Sequence, residues 1–450
     1  MSTAAIEHYH DLLTPQVAAD SQAHLESQTE IRHMYFGARP VCSVLRPRFL
    51  TTNQLTVLQA AVKHLGAAFN KAYRTALADS AFRKQFMLTP VEEELLVFDP
   101  GFVDPSPTSR LDSFFVSPQE LKFTEFNSET PAGAGYNDIL TEMFWGMPVF
   151  RAFSRKYHCR PLPGRPHVLQ ALLDSFVEWA GNTSTKPKVA ILDWKEVPTY
   201  SEFIVFEKYF AEQGIEARII DPRDVEYSGG SLRAGDYAFN LIYKRVLIAE
   251  LLDRDGGIDG KIVRAVRDRA CCMVNTFRCK ILFKKASFAV LSDERNAKLF
   301  NDHETAAIAA HIPWTRVVEQ RKTILGGKTI DLIPHVLEHR QQFVLKPNDD
   351  YGGHGIVLGW TVDGPTWEAA VKHALATPYI VQEKVGLPRE VFPSYHDGQV
   401  HFIDRMLDTN PFVGPSGTMD ACLTRISTEA LLNVTAGGGS TVPTLLIEDR

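Results

Sequence analysis

The chain has 450 residues, 44% of them apolar and 23% charged, with 48 basic and 54 acidic side chains and a net charge of -6. This is enough apolar material for a large core with more than one hydrophobic layer, and it excludes a basic nucleic-acid footprint or a polybasic membrane patch. The cysteines, Cys42, Cys159, Cys271, Cys272, Cys279 and Cys422, form no C-x-x-C pair, so free thiols in a reducing compartment are expected.

The start of the chain, MSTAAIEHYHDLL, has no basic region followed by an apolar core. No apolar run approaches the roughly 20 residues that span a bilayer. A cytoplasmic protein without membrane or nucleic-acid partners is expected, and a homo-oligomer is compatible with the sequence.

Residues 1–107 read as a mostly helical region. Apolar residues recur at helical spacing over 52–77, and a short apolar stretch follows at 92–97. The Pro/Ser-rich run 100–108 predicts a loop. A second segment, 108–181, opens with strand-like runs at 113–116 and 122–127, joined by a Ser-Pro-Gln-Glu turn. A Gly/Pro loop at 130–136 and helices over 138–156 and 168–180 complete it.

After a linker at 182–187 (NTSTKP) the pattern changes. Over 182–270, strands at 189–194, 216–220 and 239–243 alternate with a helix at 200–213, which predicts a parallel sheet with covering helices. No G-x-G-x-x-G turn follows the first strand, so a dinucleotide site is not expected there. Tyr243-Lys244-Arg245 ends a strand of this sheet, where ligands often sit. From 271 to 450 helices and strands mix again. Strands are predicted at 342–346, 355–358, 379–382 and 400–406, a helix at 328–339, a flexible loop at 436–440, and a short terminal run at 443–447.

The segment 343–360, FVLKPNDDYGGHGIVLGW, carries chemistry. Lys346 ends an apolar strand and is held in direction by Pro347; its ammonium is a compact charge suited to phosphate oxygens. Gly352, Gly353 and Gly355 let the backbone approach a phosphate chain and point N–H groups at it. The lysine precedes the glycines, so this is not a Walker A loop. In YIVQEKV (379–385) an apolar strand delivers Gln382 and Glu383, suited to the edge of an adenine.

A lysine strand, a glycine loop, a strand, a helix (366–376) and a strand ending in Gln-Glu follow the order of an ATP-grasp nucleotide site, and this half of the chain resembles the ATP-grasp enzymes. Their usual E-x-N metal pair is missing after Glu383, where Asp404, Asp408, Asp420 and Glu429 are scattered. The pattern occurs upstream instead, in FTEFN (123–127). Glu125 and Asn127 are two apart on a predicted strand and share a face, which suits one Mg²⁺ completed by phosphate oxygens. Arg110-Leu111-Asp112 lies on the preceding strand and offers a second carboxylate and a cation.

This order is similar to a circularly permuted ATP-grasp protein, such as the synthetase domain of glutathionylspermidine synthase and its uncharacterised bacterial relatives. The fold so implied is a mixed α/β (α+β) one with a parallel-sheet subdomain and a helical N-terminal region. The resemblance implies metal binding by Asp112, Glu125 and Asn127, a transition-state contact by Arg110, phosphate contacts by Lys346 and adenine contacts around Gln382 and Glu383. A second phosphate-binding lysine is implied in 275–294, either Lys280 or Lys285.

The implied reaction is the joining of a small-molecule carboxylate to an amine, with ATP and Mg²⁺, through an acylphosphate. Another ATP-grasp phosphoryl transfer and a non-catalytic nucleotide-binding protein are the alternatives. The 349–355 loop is expected to close as a lid. Ser128, Glu129, Thr130 and Tyr136 are candidates to face substrate, and Thr424-Arg425 and the 436–440 loop are candidates to close over the site. The first 95 residues are too few for the cysteine amidase domain of bifunctional relatives, and Cys42 lacks a suggestive neighbourhood.

Overall fold

The long helix Thr52–Ala78 opens with a capping box: Thr51 Oγ1 accepts from Gln54 N–H, and Gln54 Oε1 accepts from Thr51 N–H. Such a cap contributes about 1 kcal/mol. Leu55, Leu58, Val62, Leu65, Phe69 and Tyr73 recur at three- and four-residue spacing and are all buried. They share one core with Leu111, Phe115, Phe123 and Phe126 of a β-hairpin and with Phe288 and Leu291 further along the chain. The helix is therefore the floor on which the hairpin and the 280–292 segment rest. The computed structural model describes residues 2–350, 352–414, 417–428 and 439–449.

The hairpin, Ser109–Ser117 and Glu120–Asn127, ends a large antiparallel sheet in the order Arg389–His396, Gln399–Leu407, Thr418–Ser427, Asn410–Gly414, Ser109–Ser117, Glu120–Asn127. The last strand, Gly439–Asp449, pairs antiparallel with Thr418–Ser427 and Tyr157–Pro161 and parallel with Arg48–Thr51. Residues 436–438 of the expected flexible loop lie outside the described residues, whereas Gly439 and Ser440 begin this strand.

The expected parallel sheet is present, in the order Cys272–Val274, Leu241–Lys244, Lys188–Leu192, Glu216–Ile220. Helices Gly164–Ala180 and Tyr200–Glu212 pack their aromatic and aliphatic faces against one side of it. Buried Asn275, just past the Cys272–Val274 strand, ties it to the hairpin. Its Oδ1 accepts from Thr108 N–H (3.1 Å), and its Nδ2 donates to the carbonyls of Thr108 (2.7 Å) and Ser128 (2.8 Å).

A smaller antiparallel sheet, Thr315–Val317, Tyr379–Glu383, Phe343–Pro347, Val357–Leu358, is backed by helices Leu332–Glu338 and Gly364–Ala376. The helix expected over 328–339 begins later. Lys328–Asp331 is instead a strand paired with Lys322–Leu325. Gly326 and Gly327, at φ 56° and 79°, make the two-residue turn between them. Among the described residues no helix is long and apolar enough to cross a membrane.

Candidate active site

The chemistry-bearing hairpin is built by register. Arg110 pairs opposite Asn127 and Asp112 opposite Glu125. Directly opposed and alternate residues of an antiparallel pair share a face, so these four side chains form a rectangle on one surface. Beyond it the register shifts, Ser113 pairing with Phe123. Thr124 is left out of the ladder, and its carbonyl accepts from Lys346 Nζ at 3.2 Å. Lys346 thus bridges the hairpin to the small sheet, although the two residues are 222 apart in sequence.

Within the small sheet Lys346 Nζ also donates to Gln382 Oε1 (2.8 Å), and Gln382 Nε2 donates to Thr315 Oγ1 (3.0 Å). Enclosure of its ammonium, together with nearby Lys285, pulls the Lys346 pKa down to about 8 against the opposing pull of Glu125 and Asp112. The N–H groups of Glu383 and Lys384 are taken by the carbonyls of Trp314 and Gln342. The next N–H, of Val385, makes no hydrogen bond among the described residues.

Gly352, Gly353 and Gly355 follow at φ 67°, 79° and 68°, a region that other residues enter with strain. A Cβ on Gly355 would also stand 3.0 Å from Tyr379 Oη and 3.1 Å from Pro347 Cγ. The root of this loop is clipped down. Asp349 pairs with Lys280 and Lys284 (2.6 Å each), and Lys285 Nζ donates to the Asp350 carbonyl (2.6 Å). Lys280 further meets Glu129 (3.2 Å) and Lys284 meets Glu92 (2.8 Å), deep in the interior.

Of the two candidate lysines, Lys285 reaches the hairpin face, 3.1 Å from Glu125 Oε1, while Lys280 is absorbed in this buried network. Lys284, the first lysine of FKK (283–285), and Glu92 carry no signal of a functional role in the sequence. Neither a strand end nor a glycine pattern marks them, and only the packing brings them together.

Asp112 is held from two sides. Arg110 Nε donates to its Oδ1 (2.6 Å) and Arg110 Nη2 to its Oδ2 (3.0 Å), while Arg425 Nη2 also reaches Oδ2 (2.7 Å). Burial raises the carboxyl, but the two guanidinium groups more than offset this and hold it below its usual range. Arg110 also donates to the Ala132 carbonyl, so each nitrogen of its guanidinium has a partner. Arg425 bridges on to Asp408 (2.7 Å). Of the segments expected to close over the site, Thr424-Arg425 therefore supplies a central cation.

These groups border two cavities. A cleft of about 970 Å³ is lined by Asp112, Glu125, Lys346, Gly352, Gly353, Gln382 and Glu383, with apolar walls from Val344, Ile356, Leu358, Trp360, Val385 and Leu387. A pocket of about 1620 Å³ adjoins it, sharing Gly352 and Arg425, and takes in Arg110, Asn127, Thr130, Tyr136 and Arg245 at the mouth of the parallel sheet. Ser128, Glu129 and Lys244 are instead sealed in the interior.

The hairpin offers two carboxylates and one amide. Among the described residues no group of three or more His, Cys, Asp or Glu could hold a metal ion alone. A hard, six-coordinate cation that takes much of its shell from phosphate and water fits this set, because Mg²⁺ commonly binds one or two carboxylates. Glu125 is the accessible carboxylate, its side chain 28% exposed toward the cleft. Asn127 Nδ2 is buried with no hydrogen bond of normal geometry, and lies beside Asp112, whose charge it helps to hold.

This architecture is an ATP-grasp fold. The structure of a glutathione synthetase-like effector from Globodera pallida, in its apo form, superposes with a TM-score of 0.58 over 96% of this chain and 98% of that one, at 12% identity. At that identity the likeness concerns the fold. A RimK-domain ATP-grasp protein from Sphaerobacter thermophilus DSM 20745 aligns at 17% identity over 57% of this chain and 89% of that one, and its TM-score of 0.27 gives the match no weight. No family model and no curated protein matches the sequence.

Proposed function

We propose that this chain is an ATP- and magnesium-dependent carboxylate–amine ligase, with its metal-binding hairpin placed ahead of the nucleotide sheet in the circularly permuted order. One observation carries the reading. The rectangle of Arg110, Asp112, Glu125 and Asn127 lies against Lys346, Lys285 and the glycine loop, groups drawn from distant parts of the chain.

In this reading Val344, Ile356, Leu358 and Trp360 hold the adenine, and the Val385 N–H meets its edge. The loop N–H groups and Lys346 receive the phosphates. Glu125 and Asn127, with Asp112 behind them, would hold Mg²⁺, which neutralises phosphate oxygens when bound. The substrate carboxylate lies in the larger pocket beside Arg425. Its oxygen attacks the γ-phosphorus as the bond to the ADP oxygen breaks, giving an acylphosphate. An amine then attacks the acyl carbon, phosphate leaves, and the amine loses a proton. No side-chain nucleophile is required.

The test is ADP and phosphate release from purified protein across paired acids and amines. A ligase releases both only when an acid and an amine are present together. ADP formation with one acceptor and a stable phosphorylated product would replace this reading with another phosphoryl transfer.

A further inference from the structure

The larger pocket is divided by charge. Its cleft end carries the guanidinium groups of Arg110 and Arg425. Its far end, at the C-terminal edge of the parallel sheet, carries two carboxylates, Asp193 and Glu250. Asp193 follows strand Lys188–Leu192, the central strand whose neighbours on either side come from later in the chain, a position where α/β sheets open a crevice.

Asp193 is 6% exposed, yet it has no ion-pair partner among the described residues. Its Oδ1 accepts from the Trp194 N–H at 2.8 Å, and its Oδ2 has no hydrogen-bond partner there. Among the described residues the Glu250 carboxylate accepts only from the Trp194 indole, at 3.0 Å. Trp194 therefore holds the two acids side by side with its backbone and its ring.

Arg254, on the same helix as Glu250, stacks on the Trp194 ring at 4.9 Å and forms no ion pair with Asp193 or Glu250 among the described residues. The other nearby cations are committed elsewhere. Arg245 donates to the Pro131 carbonyl and to Tyr243 Oη (3.2 Å) and pairs with Glu202 (3.4 Å). Lys244 turns to the Glu129 and Val246 carbonyls, and Arg223 is held by Asp221 and Glu196. Burial, with Glu250 adding to it, pushes the Asp193 carboxyl up to about 6, against the pull of Trp194 N–H, Arg245 and Lys244. A buried carboxylate without a counter-ion is costly. A ligand that brings the charge removes the cost.

We propose that Asp193 and Glu250 form an ammonium subsite, which binds a protonated aliphatic amine borne by the organic substrate at a distance from its reacting group. This rests on the ligase reading and narrows it to substrates that carry such a second group. Two sources share the chemistry: a zwitterionic acid whose carboxylate lies at the arginine end, and a diamine whose other nitrogen is the nucleophile.

The experiment is calorimetric titration of the full chain, without nucleotide, by 4-aminobutanoate, its N-acetyl derivative, 1,4-diaminobutane and 1-butanol. At least one ammonium compound should bind ten-fold or more tighter than both compounds that lack an ammonium, and which ammonium compound binds identifies the source. Asp193→Asn and Glu250→Gln should each weaken that binding about ten-fold, and Asp193→Glu should recover part of it, with melting temperatures confirming folded protein. Equal binding of the compounds with and without an ammonium, no binding by any of them at millimolar concentration, or unchanged binding by both variants would overturn the subsite. Ammonium binding without ATP-coupled turnover would leave the subsite standing and remove the ligase. Turnover on substrates without a second ammonium, unaffected by Asp193→Asn, would do the reverse.

Discussion

Arg425 reaches Asp112 across 313 residues of sequence, placing a guanidinium 2.7 Å from the carboxylate at the junction of the two cavities. The same arginine pairs with Asp408, a buried acid whose carboxyl burial pushes up and Arg425 pulls back. Arg425→Gln leaves two enclosed carboxylates short of a cation, although Asp112 keeps Arg110. Breaking a buried pair costs about 3–5 kcal/mol. A drop toward the lower figure is expected in urea unfolding, with turnover falling at least ten-fold. A change below about 0.5 kcal/mol, the range of a neutral surface substitution, would show that the bridge is not structural.

Glu125→Gln should abolish magnesium-dependent turnover while leaving a folded protein, because its carboxylate faces the cleft and is not part of the core. Metal-free nucleotide affinity, measured by fluorescence titration, should change little or rise, since Lys285 loses its only ion-pair partner among the described residues. Unchanged turnover would remove Glu125 from the metal site.

Lys346 gives a pH dependence with a definite sign. With its pKa near 8 against the usual 10.5, the free protein loses this charge from about pH 8 upward. Bound phosphate favours the protonated form and raises the pKa, so binding takes up a proton above pH 8. Nucleotide affinity should fall as pH rises from 8 to 9.5, by at most about ten-fold per unit. Lys346→Arg should flatten that slope, because arginine stays charged. A slope that persists in Lys346→Arg would assign the titration to another group.

The Asp349 carboxyl lies in partly buried surroundings, but Lys280 and Lys284 outweigh this and hold it well below the ordinary carboxylate range. A depressed carboxylate contributes stability above its unfolded pKa, lost as pH falls through its folded one. Asp349→Asn should therefore destabilise at pH 7, by about 1–3 kcal/mol for the weakened buried lysines, and make the variant less sensitive to acid below pH 4. It should also raise the ATP KM through the glycine loop. An acid unfolding curve parallel to that of the parent would contradict this.

How much of this was legible follows physical range. Helix Thr52–Ala78 and the hairpin were readable because their periods and turns are local, and register then placed Arg110, Asp112, Glu125 and Asn127 on one face. The pairing of Gly439–Asp449 with Arg48–Thr51, and the meeting of Arg425 with Asp112, depend on which distant segments the core unites. No spacing encodes that. The Lys322–Asp331 hairpin did have a local signal, the Gly-Gly turn, but the apolar spacing after it reads as a helix that starts too early. Asp193 gave no signal at all: it follows a strand like many acids, and only its lack of an ion-pair partner among the described residues sets it apart.

Gly353 separates backbone strain from ligand approach. At φ 79° an alanine is strained by about 1 kcal/mol. Gly181, the C-terminal cap of helix Gly164–Ala180 at φ 69°, has open space around its missing Cβ and stands outside both cavities. Gly353→Ala and Gly181→Ala should then lose similar stability, a few degrees of melting temperature at most. Only the first places a methyl group where, in the proposed reading, the phosphates approach the loop. Its ATP KM should rise ten-fold or more while Gly181→Ala keeps the parent value. Equal effects of the two on KM would mean that the glycine serves the turn alone and that the phosphates lie elsewhere in the cleft.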